Sequence, residues 1–478
     1  MIEKRNFYID GKWVAPLQKR DFEVIDPSNE EPCAIISLGS AGDVDKAVAA
    51  ARKAFPKWSA TPLGERVALL EKLLEIMGRR NSEMAEAIML EMGAPIDLAT
   101  NDQAGSGPWH LEGFLKALKE FKWEYPFSDR GERVCHEPIG VVGLITPWNW
   151  PINQIALKVL PALAVGCTCV LKPSEIAPLS ALVFTEWMDE AGFPAGVYNM
   201  VNGDGPGVGS VMSSHPDIDM MSFTGSTRAG ILVSKAAADT IKKVTLELGG
   251  KSPNIIFSDA NLEKSVKRGV THCFENTGQS CNAPTRMLVE RKIYDDVVDM
   301  AVRYGSEVKV GNTRDHGNHI GPLVSQMQYD KVQELIEAGI AEGARLVLGG
   351  PGRPEGFNRG YYVRPTIFAD VHNGMRIARE EVFGPVLAMI PFDDEEEAVA
   401  IANDTPYGLA AYLHTQDNAK GERVARQLRA GMVRINHAGF SAGIPFGGYK
   451  QSGIGREGGK FGLEDFCEIK IISGLSAG

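Results

Sequence analysis

The chain has 478 residues, which at roughly 150 residues per domain corresponds to about three structural units. Apolar residues make up 44% and charged residues 23%, with 52 glycines and 27 prolines, a composition that is typical of a loop-rich globular enzyme and excludes disorder and collagen. The formal charge of −11, with acids scattered along the chain, argues against a nucleic-acid partner.

Sorting signals are not evident in the sequence. The longest apolar stretch, residues 155–171, is interrupted by Lys158 and Pro161 and falls short of the ~20 residues that span a bilayer. No apolar segment of the secretory type follows the first basic residues. The seven cysteines have neither zinc-ribbon nor disulfide-scaffold spacing. We therefore expect a cytoplasmic protein with free thiols, no membrane partner and no metal.

The first 120 residues predict a hairpin followed by packing helices. Residues 7–14 contain two β-prone runs around Asp10-Gly11, a dipeptide typical of a type I′ turn. Apolar residues recur at helical spacing after Asp43, and a second apolar stripe extends from Val67 to Met77.

From Gly140 onward, short apolar runs alternate with helical segments. In the first series, strands are predicted at 141–145, 167–171, 197–201 and 220–223, with helices after Pro151 and over 179–191. A second series begins at Val244, with strands at 254–257, 287–289 and 386–390 and helices around Val266 and from Ile293. Such alternation predicts an α/β fold with two doubly wound parallel-sheet lobes. The acidic run 393–397 predicts a solvated helix start.

Two glycine-rich turns follow consecutive strands, where a parallel sheet binds dinucleotides. Residues 203–209 miss the G-x-G-x-x-G spacing and alone are equally typical of a tight strand-to-helix turn. Residues 224–230 again open a helix. Lys172, Ser174 and Glu175 follow another strand; the carboxylate there would accept ribose hydroxyls and repel a 2′-phosphate, unless the segment is simply a solvated loop.

Cys281 is the candidate nucleophile. Its neighbours are polar or small, whereas Cys167, Cys169 and Cys273 have apolar or helical surroundings typical of buried fillers. We expect Cys281 at a turn or a helix start, and a helix N-terminus lowers a thiol pKa. An unperturbed thiol is only about 3% ionised at neutral pH, so its surroundings must activate it.

Two further polar residues follow predicted strands. Glu247 ends an alternating strand just before Gly249-Gly250, and Asn149 lies beyond the strand that ends at Ile145. Each residue alone has an ordinary structural interpretation: Glu247 could lie on a solvent-exposed strand face, and Asn149 could form a turn. A thiol, a carboxylate and an amide together indicate covalent catalysis.

With these motifs the chain resembles the NAD(P)-dependent aldehyde dehydrogenase superfamily along essentially its whole length. The resemblance is carried by residues 8–14, the glutamate motif 246–253, the cysteine motif 274–285 and residues 445–457. It implies an NAD-binding domain of residues 1–119 and 139–248, a catalytic domain of residues 249–448, and an oligomerisation segment of residues 120–138 and 449–478. A homodimer or homotetramer is expected.

The resemblance also implies the reaction, in which an aldehyde is oxidised to a carboxylic acid. Cys281 would attack the aldehyde, and the Asn149 amide and the Cys281 backbone N–H would hold the oxyanion. Glu247 would activate the water that hydrolyses the thioester. Lys158 and Glu457 match positions that relay the proton away.

The cofactor positions are implied in the same way, with NAD expected and NADP as the alternative. Lys172, Ser174 and Glu175 match adenosine-ribose contacts, Gly205, Gly209, Gly225, Ser226 and Gly230 the surroundings of the adenine and pyrophosphate, Glu381 the nicotinamide ribose and Phe383 the ring contact. The cofactor site is further expected to include Ile145, Thr146, Trp148, Phe223 and Leu248.

One departure from the family pattern bears on the substrate. Arg434 stands where the family commonly has tryptophan, and the segment between Asn436 and Pro445 keeps one aromatic residue, Phe440. No arginine is evident for binding a second carboxylate, so aliphatic or aromatic aldehydes are favoured over semialdehydes. An apolar tunnel is indicated by Trp150, Phe114, Trp109, Phe440 and Ile444.

Three other functions stay open at this point. A CoA-acylating semialdehyde dehydrogenase would not need a water-activating glutamate, and Glu247 argues against it. A catalytically silent structural or binding relative would lack a reason to keep Cys281, Glu247 and Asn149 together. A cysteine hydrolase would need a histidine partner, and none of the nine histidines lies in a motif that pairs with Cys281.

Overall fold

A computed structural model describes residues 1–474 as a mixed α/β protein with four sheets. The strands are β1 Ile2–Lys4, β2 Phe7–Ile9, β3 Lys12–Val14, β4 Asp21–Asp26, β5 Glu31–Ser37, β6 Glu124–Pro126, β7 Arg133–Pro138, β8 Val141–Ile145, β9 Thr168–Lys172, β10 Tyr198–Met200, β11 Met220–Thr224, β12 Lys243–Glu247, β13 Pro253–Ile256, β14 Arg286–Glu290, β15 Arg345–Leu348, β16 Thr366–Ala369, β17 Val386–Phe392, β18 Ala410–His414, β19 Met432–Ile435, β20 Gly453–Ile454 and β21 Cys467–Ile472. The helices are α1 Ala41–Ser59, α2 Leu63–Arg79, α3 Asn81–Met92, α4 Ile96–Leu98, α5 Gly105–Glu120, α6 Pro151–Val165, α7 Leu179–Ala191, α8 Ser210–Ser214, α9 Thr227–Ala238, α10 Leu262–Phe274, α11 Tyr294–Glu307, α12 Gln326–Ala341, α13 Arg376–Arg379, α14 Glu395–Asn403, α15 Asn418–Gln427 and α16 Gly459–Asp465. Within residues 1–474, no helix is long and apolar enough to cross a bilayer.

The first large sheet has eight strands in the order β20-β12-β11-β8-β9-β10-β2-β3. Its inner strands β8, β9, β10, β11 and β12 are parallel, and β8, β9 and β11 are buried along their whole length because helices cover both faces. The strand predicted at Val244 belongs to this sheet as β12. The prediction that it opens the second series was therefore wrong, and the second series begins with β13.

The second large sheet has seven strands in the order β15-β16-β17-β14-β13-β18-β19. All its pairings are parallel except β15 with β16. The predicted strands at 254–257, 287–289 and 386–390 are confirmed within a few residues. Strands β16, β18 and β19 had not been predicted, because short apolar runs without flanking turn signals cannot be separated from buried helix segments by periodicity.

The predicted hairpin is confirmed and adds an edge to the first sheet. Strands β2 and β3 pair antiparallel, and Asp10 and Gly11 have φ values of 52° and 73°, as a type I′ turn requires. The small sheet β1-β5-β4 was missed. The acidic run begins a helix as predicted, since the Asp394 side chain accepts from the Glu397 N–H at the start of α14.

A separate three-stranded sheet, in the order β21-β7-β6, joins the C-terminal strand to residues 124–138. Only part of the expected segment 449–478 lies here. Strand β20 pairs with β12 of the first sheet, and α16 packs on α5 and α6, because apolar residues such as Leu463 fill the core of that lobe. Residues 475–478 of the expected segment lie outside the described residues.

Candidate active site

The candidate site lies where the carboxyl edge of the first sheet faces the Cys281 loop of the second lobe. In the sheet register, Ile145 is level with Lys172, and Thr224 with Glu247, so the strand ends form one continuous edge. A cavity of about 190 Å³ opens between this edge and the loop. Its walls are formed by Pro147, Trp148, Asn149, Thr224, Gly225, Ser226, Leu248, Gly249, Cys281, Gln328, Lys331, Glu381 and Phe383.

Cys281 lies in a turn between α10 and β14, closed by a hydrogen bond from the Ala283 N–H to the Ser280 carbonyl (3.1 Å). The side chain is half-buried and lines the cavity. The backbone N–H of Cys281 donates to no acceptor within residues 1–474. The turn was predicted, whereas the alternative of a helix start was wrong. A sulfur beside an unused N–H is the arrangement that an attacking thiol and its oxyanion need.

The loop before Cys281 is tied to Asn149 through one buried carboxamide. The Asn276 Nδ2 donates to the Asn149 carbonyl (3.0 Å) and to the Gln279 carbonyl (3.2 Å), and its Oδ1 accepts from Gln103 Nε2 (2.9 Å). The Asn149 Nδ2 donates to the same Gln279 carbonyl (3.0 Å), which leaves its second N–H for the cavity. Gln103 and Asn276 were missed, because their role depends on contacts between distant segments.

The backbone of this loop is held in an uncommon conformation. Asn276 and Thr277 have φ values of 53° and 56°, in the left-handed region that costs about 1–2 kcal/mol per non-glycine residue. Gly278 follows at 72°, and a Cβ there would lie 2.1 Å from the Gly384 carbonyl oxygen. Such conformations persist only where the surroundings fix them, so the path to Cys281 is set by packing against the second lobe.

Glu247 ends β12 and is buried, with 5% of its surface exposed. Neither of its carboxylate oxygens accepts a hydrogen bond from any described residue. Burial, and then the nearby Glu457, raise the pKa of Glu247 well above its ordinary value. Glu457 in turn accepts from the buried Lys158 Nζ (2.5 Å), which also donates to Ser222 Oγ (3.2 Å). A partner-free buried carboxyl is typical of a catalytic acid–base group.

The charge of Glu247 affects the ionisation of the thiol. Burial, and then the charge of Glu247, raise the pKa of Cys281, so the expectation that a helix terminus lowers this pKa does not hold. Two neighbouring negative charges in a low-dielectric site repel each other, and ionising both groups therefore costs free energy. Each raised pKa disfavours the charged form of its group.

The predicted ribose residues lie at the end of β9. Lys172 is buried, and its Nζ donates to Glu175 Oε2 (3.1 Å), while about 30% of the Glu175 side chain is exposed. Ser174 lies between them and is almost buried. This segment is therefore an ordered ion pair at the sheet edge and not the solvated loop that was the alternative.

The predicted phosphate glycines fall into two groups. A Cβ at Gly205 would meet open space, and one at Gly209 would be in ordinary contact with the end of Ile145 at 3.7 Å and the Asp204 carbonyl oxygen at 3.8 Å. By contrast, a Cβ at Gly225 would lie 2.5 Å from the Phe223 ring, and one at Gly230 2.6 Å from Leu248. Gly225 and Gly230 are thus required by packing of the protein itself. The first turn leaves room for a ligand.

The opposite end of the cavity is built around Glu381 and Phe383. Glu381 Oε1 accepts from the Gly250 N–H (2.9 Å), and the Phe383 ring meets the Trp148 ring edge-on at 5.4 Å. Gln328, which was missed, donates to the Phe383 carbonyl (2.9 Å) and holds this residue at a φ of 57°. No strand-end motif marks Gln328 in the sequence, since it lies in the first turn of α12.

The predicted residues divide into those on the cavity wall and those around it. The wall includes Trp148, Asn149, Gly225, Ser226, Leu248, Cys281, Glu381 and Phe383. The remainder surround it along the sheet edge or behind it: Ile145, Thr146, Lys158, Lys172, Ser174, Glu175, Gly205, Gly209, Phe223, Gly230, Glu247 and Glu457. Of the predicted tunnel residues, Trp150 donates from Nε1 to Ser280 Oγ (2.9 Å). Phe114 instead lies in the core of the first lobe, 1% exposed, because α5 packs on α6 there.

Comparison with known proteins agrees with this geometry. A family model described as the aldehyde dehydrogenase family matches residues 13–472. The chain belongs to the aldehyde dehydrogenase family. The enzyme is 53% identical to a 3-succinoylsemialdehyde-pyridine dehydrogenase from Pseudomonas sp over 475 residues, 99% of each chain.

Solved structures are equally similar. The fold matches the crystal structure of an aldehyde dehydrogenase from Bartonella henselae with a TM-score of 0.98 at 56% identity, over 99% of this chain and 100% of that one. It matches a mutant of aldehyde dehydrogenase C from Pseudomonas syringae, in complex with NAD⁺ and octanal, with a TM-score of 0.97 at 49% identity, over 99% and 98%. The enzyme is thus an NAD-dependent oxidoreductase that converts an aldehyde to a carboxylic acid.

The residues present fit NAD⁺. The open space at Gly205 leaves room for a pyrophosphate beside this turn. Ser226, on the cavity wall, begins α9 with its side chain accepting from the Ala229 N–H, which leaves the first N–H groups of that helix for an anion. The Glu175 carboxylate at the sheet edge suits ribose hydroxyls.

Proposed function

We propose that Cys281 is the nucleophile of this aldehyde dehydrogenase, with Glu247 as its base and Asn149 as its oxyanion donor. One observation carries the proposal: the thiol lies on a cavity wall with the Asn149 amide, and the nearby Glu247 carboxyl is buried without a hydrogen-bond partner. Attack of the sulfur on the aldehyde carbon forms a thiohemiacetal. The spare N–H of Asn149 and the unused backbone N–H of Cys281 then hold the oxyanion.

Transfer of one proton from Cys281 to Glu247 generates the thiolate without adding a charge to the buried site. The pair with a thiolate and a protonated Glu247 has the same net charge as the pair with a thiol and an ionised Glu247. The chemistry that bound NAD⁺ supplies is acceptance of a hydride, which leaves a thioester on Cys281. Glu247, once deprotonated, activates the water that hydrolyses this thioester.

The proton that Glu247 removes from water must leave a buried site. Glu457 and Lys158 form a buried ion pair (2.5 Å), and Glu457 is close enough to Glu247 to raise its pKa. We assign Glu457 and Lys158 to proton relay from Glu247. The raised pKa of Glu247 makes it a stronger base than an exposed glutamate once it is ionised.

The remaining positions are proposed as the cofactor site, with residues 1–119 and 139–248 as the NAD-binding domain and 249–448 as the catalytic domain. Lys172, Ser174 and Glu175 would hold the adenosine ribose, and Glu381 the nicotinamide ribose. The Trp148 and Phe383 rings would flank the nicotinamide. The pyrophosphate and adenine would lie along the sheet edge formed by Ile145, Thr146, Gly205, Gly209, Phe223, Gly225, Ser226, Gly230 and Leu248.

An apolar aldehyde body fits the surroundings of the thiol. Cys281 and Phe440 pack against a buried cluster that contains Leu409, Tyr412 and Met432. The relative crystallised with octanal supports an apolar substrate. We also propose a cytoplasmic location, which the seven free cysteines support because thiols persist in reducing compartments.

Replacing Cys281 with alanine should lower aldehyde-dependent NADH formation by at least about a thousandfold, because no other group can form the covalent intermediate. Binding of NAD⁺, followed by quenching of tryptophan fluorescence, should persist. Cys33→Ala is the matched control, since Cys33 is also half-buried but lies in the small sheet of β5. Turnover that survives in the Cys281→Ala enzyme would contradict the assignment.

Glu247→Gln should give a single burst of NADH and then stall at the acyl-enzyme, since hydrolysis loses its base. In the wild type, kcat should rise from neutral to alkaline pH, because burial raises the pKa of Glu247 and its ionised form therefore appears only as the pH increases. Stopped-flow absorbance and a pH profile measure both effects. Steady turnover with an unchanged pH profile in Glu247→Gln would assign the base elsewhere.

Glu175→Gln should reduce the preference for NAD over NADP by about tenfold, because a like charge no longer repels the 2′-phosphate. The ratio of kcat/KM values for the two cofactors is the measurement. Glu186→Gln, which removes a carboxylate of the same lobe that pairs with Lys4, should leave the ratio unchanged. If Glu175→Gln also leaves it unchanged, another residue selects the ribose.

We further propose a homodimer or a dimer of dimers formed through β21 and α9. β21 is an edge strand whose Ile469 and Ile471 are 66% and 57% exposed, and α9 exposes Ile231 and Leu232 at 47% and 58%. Unpaired apolar edges and faces of this kind favour burial against a second copy.

Light scattering coupled to size-exclusion chromatography should give at least twice the 51.8 kDa chain mass. Ile469→Asp with Ile471→Asp should shift the protein towards the single-chain mass, because the charges oppose burial of the edge. Leu17→Asp is the control, as Leu17 is similarly exposed, at 51%, but lies away from β21. A wild-type enzyme that elutes as a monomer would contradict the proposal.

A further inference from the structure

Arg434 lies next to the nucleophile loop on the catalytic sheet. It belongs to β19 and is the register partner of Tyr412 on the parallel strand β18, so the two side chains stand on one face about 4.8 Å apart at the backbone. The Tyr412 hydroxyl donates to the carbonyl of Asn282 (2.9 Å), the residue after Cys281. The Tyr412 side chain therefore connects Arg434 with the turn that contains Cys281.

The Arg434 guanidinium is held in place by its own segment. Its Nε donates to the Ala438 carbonyl (2.6 Å), and its Cζ lies 4.3 Å from the Phe440 ring and 5.9 Å from the Tyr412 ring. Asn436 and His437 have φ values of 48° and 64°, which turn the chain back so that Phe440 covers the arginine. The guanidinium is thus fixed against two aromatic rings, one of which also packs with Cys281 in the same cluster.

The charge of Arg434 has no protein counterpart. Within residues 1–474, no carboxylate lies within 4.0 Å of the Arg434 guanidinium, whose polar side-chain neighbour is the Tyr412 hydroxyl. The neighbouring Arg268 differs, since it lies 4.0 Å from Glu275. Arg434 is half-buried, so part of its guanidinium is open to solvent and available to an acceptor on a ligand.

The surrounding titratable groups do not neutralise Arg434. The pKa of His272 is lowered to about 3 and that of His437 to about 4, mainly by burial and in addition by nearby cations that include Arg268 and Arg434, so these rings are neutral. Burial raises the pKa of Glu275, and Arg268 and then Arg434 oppose that rise. Two further charged side chains lie nearby: Asp102, which affects Glu275, and Lys264, which affects His437. Glu275 is already shared with Arg268, so solvent or a ligand supplies the remaining acceptors for Arg434.

We propose that Arg434 determines substrate specificity by binding an acceptor oxygen at the far end of the aldehyde, so that the preferred substrates carry a carboxylate or a carbonyl oxygen on an apolar body. This rests on the proposed role of Cys281 as the nucleophile. The aldehyde carbon would lie at Cys281, the body along Tyr412 and Phe440, and the oxygen at the guanidinium. This revises the expectation that no arginine is placed to bind a second polar group.

The chemistry of the side chain supports a selective role. A guanidinium offers a planar fork of donors that matches a carboxylate through two parallel hydrogen bonds, and it also donates to a neutral carbonyl oxygen. A tryptophan at this position would offer one N–H and no charge. The substitution therefore converts an apolar wall into an acceptor-binding one.

The test compares aldehydes that share a six-carbon main chain and end in a methyl group, a carboxylate or a methyl ester. Hexanal, adipic semialdehyde and the methyl ester of adipic semialdehyde are oxidised by wild type, Arg434→Met, Arg434→Trp and Arg434→Lys enzymes with saturating NAD⁺. In Arg434→Met, kcat/KM should fall roughly tenfold or more for adipic semialdehyde, less for the ester, and remain nearly unchanged for hexanal. Arg434→Lys should retain part of the preference for the carboxylate, since it keeps the charge but not the fork.

Two controls separate specificity from damage. Arg426→Met removes an exposed arginine of α15 that pairs with Glu422 and should leave all three kcat/KM values unchanged. Hexanal turnover reports that the Arg434 variants are folded and active. An equal fall for hexanal and adipic semialdehyde, or an unchanged ratio between them, would overturn the proposal. Failure of the proposed function gives a different result, since a Cys281→Ala enzyme would then oxidise hexanal as fast as the wild type.

Discussion

The buried carboxamide of Asn276 is the contact on which the site depends, because it joins the two lobes at the point where they share a reaction. Its nitrogen donates to carbonyls of Asn149 and Gln279, and its oxygen accepts from Gln103. The first and last of these partners belong to the first lobe. A single side chain therefore fixes the distance between the oxyanion amide and the turn that carries Cys281.

This positioning uses backbone conformations that are unfavourable on their own. Asn276 and Thr277 are left-handed, and both are at most 3% exposed, so no solvent hydrogen bonds compensate the strain. The packing of Gly278 against the Gly384 carbonyl closes the loop on the second lobe. Strain of this kind is retained where the surrounding structure over-determines the backbone, and here it places one sulfur atom at a cleft between two sheets.

Burial then sets the electrostatics of that cleft. It raises the pKa values of Cys281, Glu247 and Glu381 together, so the site tolerates little negative charge until a positive partner or a proton acceptor is in place. The Lys158–Glu457 pair behind Glu247 supplies a buried cation at one end. At the other, the unpaired Arg434 supplies a second cation beyond Tyr412. A site arranged in this way stabilises negative charge that develops during reaction more than charge that rests there.

The sequence alone determined the repeating strand-and-helix order, the hairpin at Asp10-Gly11 and the two motifs that hold Glu247 and Cys281, because these depend on local periodicity, turn chemistry and spacing along one segment. It also placed Asn149, Lys172 and Glu175 at strand ends, since the carboxyl ends of parallel strands share one edge. The sequence did not show which sheet β12 joins. The partners of a buried strand are distant segments, and the hydrophobic pattern of the strand itself does not identify them.

Only the tertiary structure decided the remaining features. Gln103, Asn276 and Gln328 act through hydrogen bonds to residues far away in the chain, so no local signal marks them. The pKa of Cys281 depends on desolvation and on Glu247, and local sequence predicted the wrong direction. That no described carboxylate pairs with Arg434 likewise follows from which side chains surround it. Hydrogen-bond pairing, burial and charge balance depend on contacts between segments that are distant in the sequence. A single segment contains only one of the two partners in each contact.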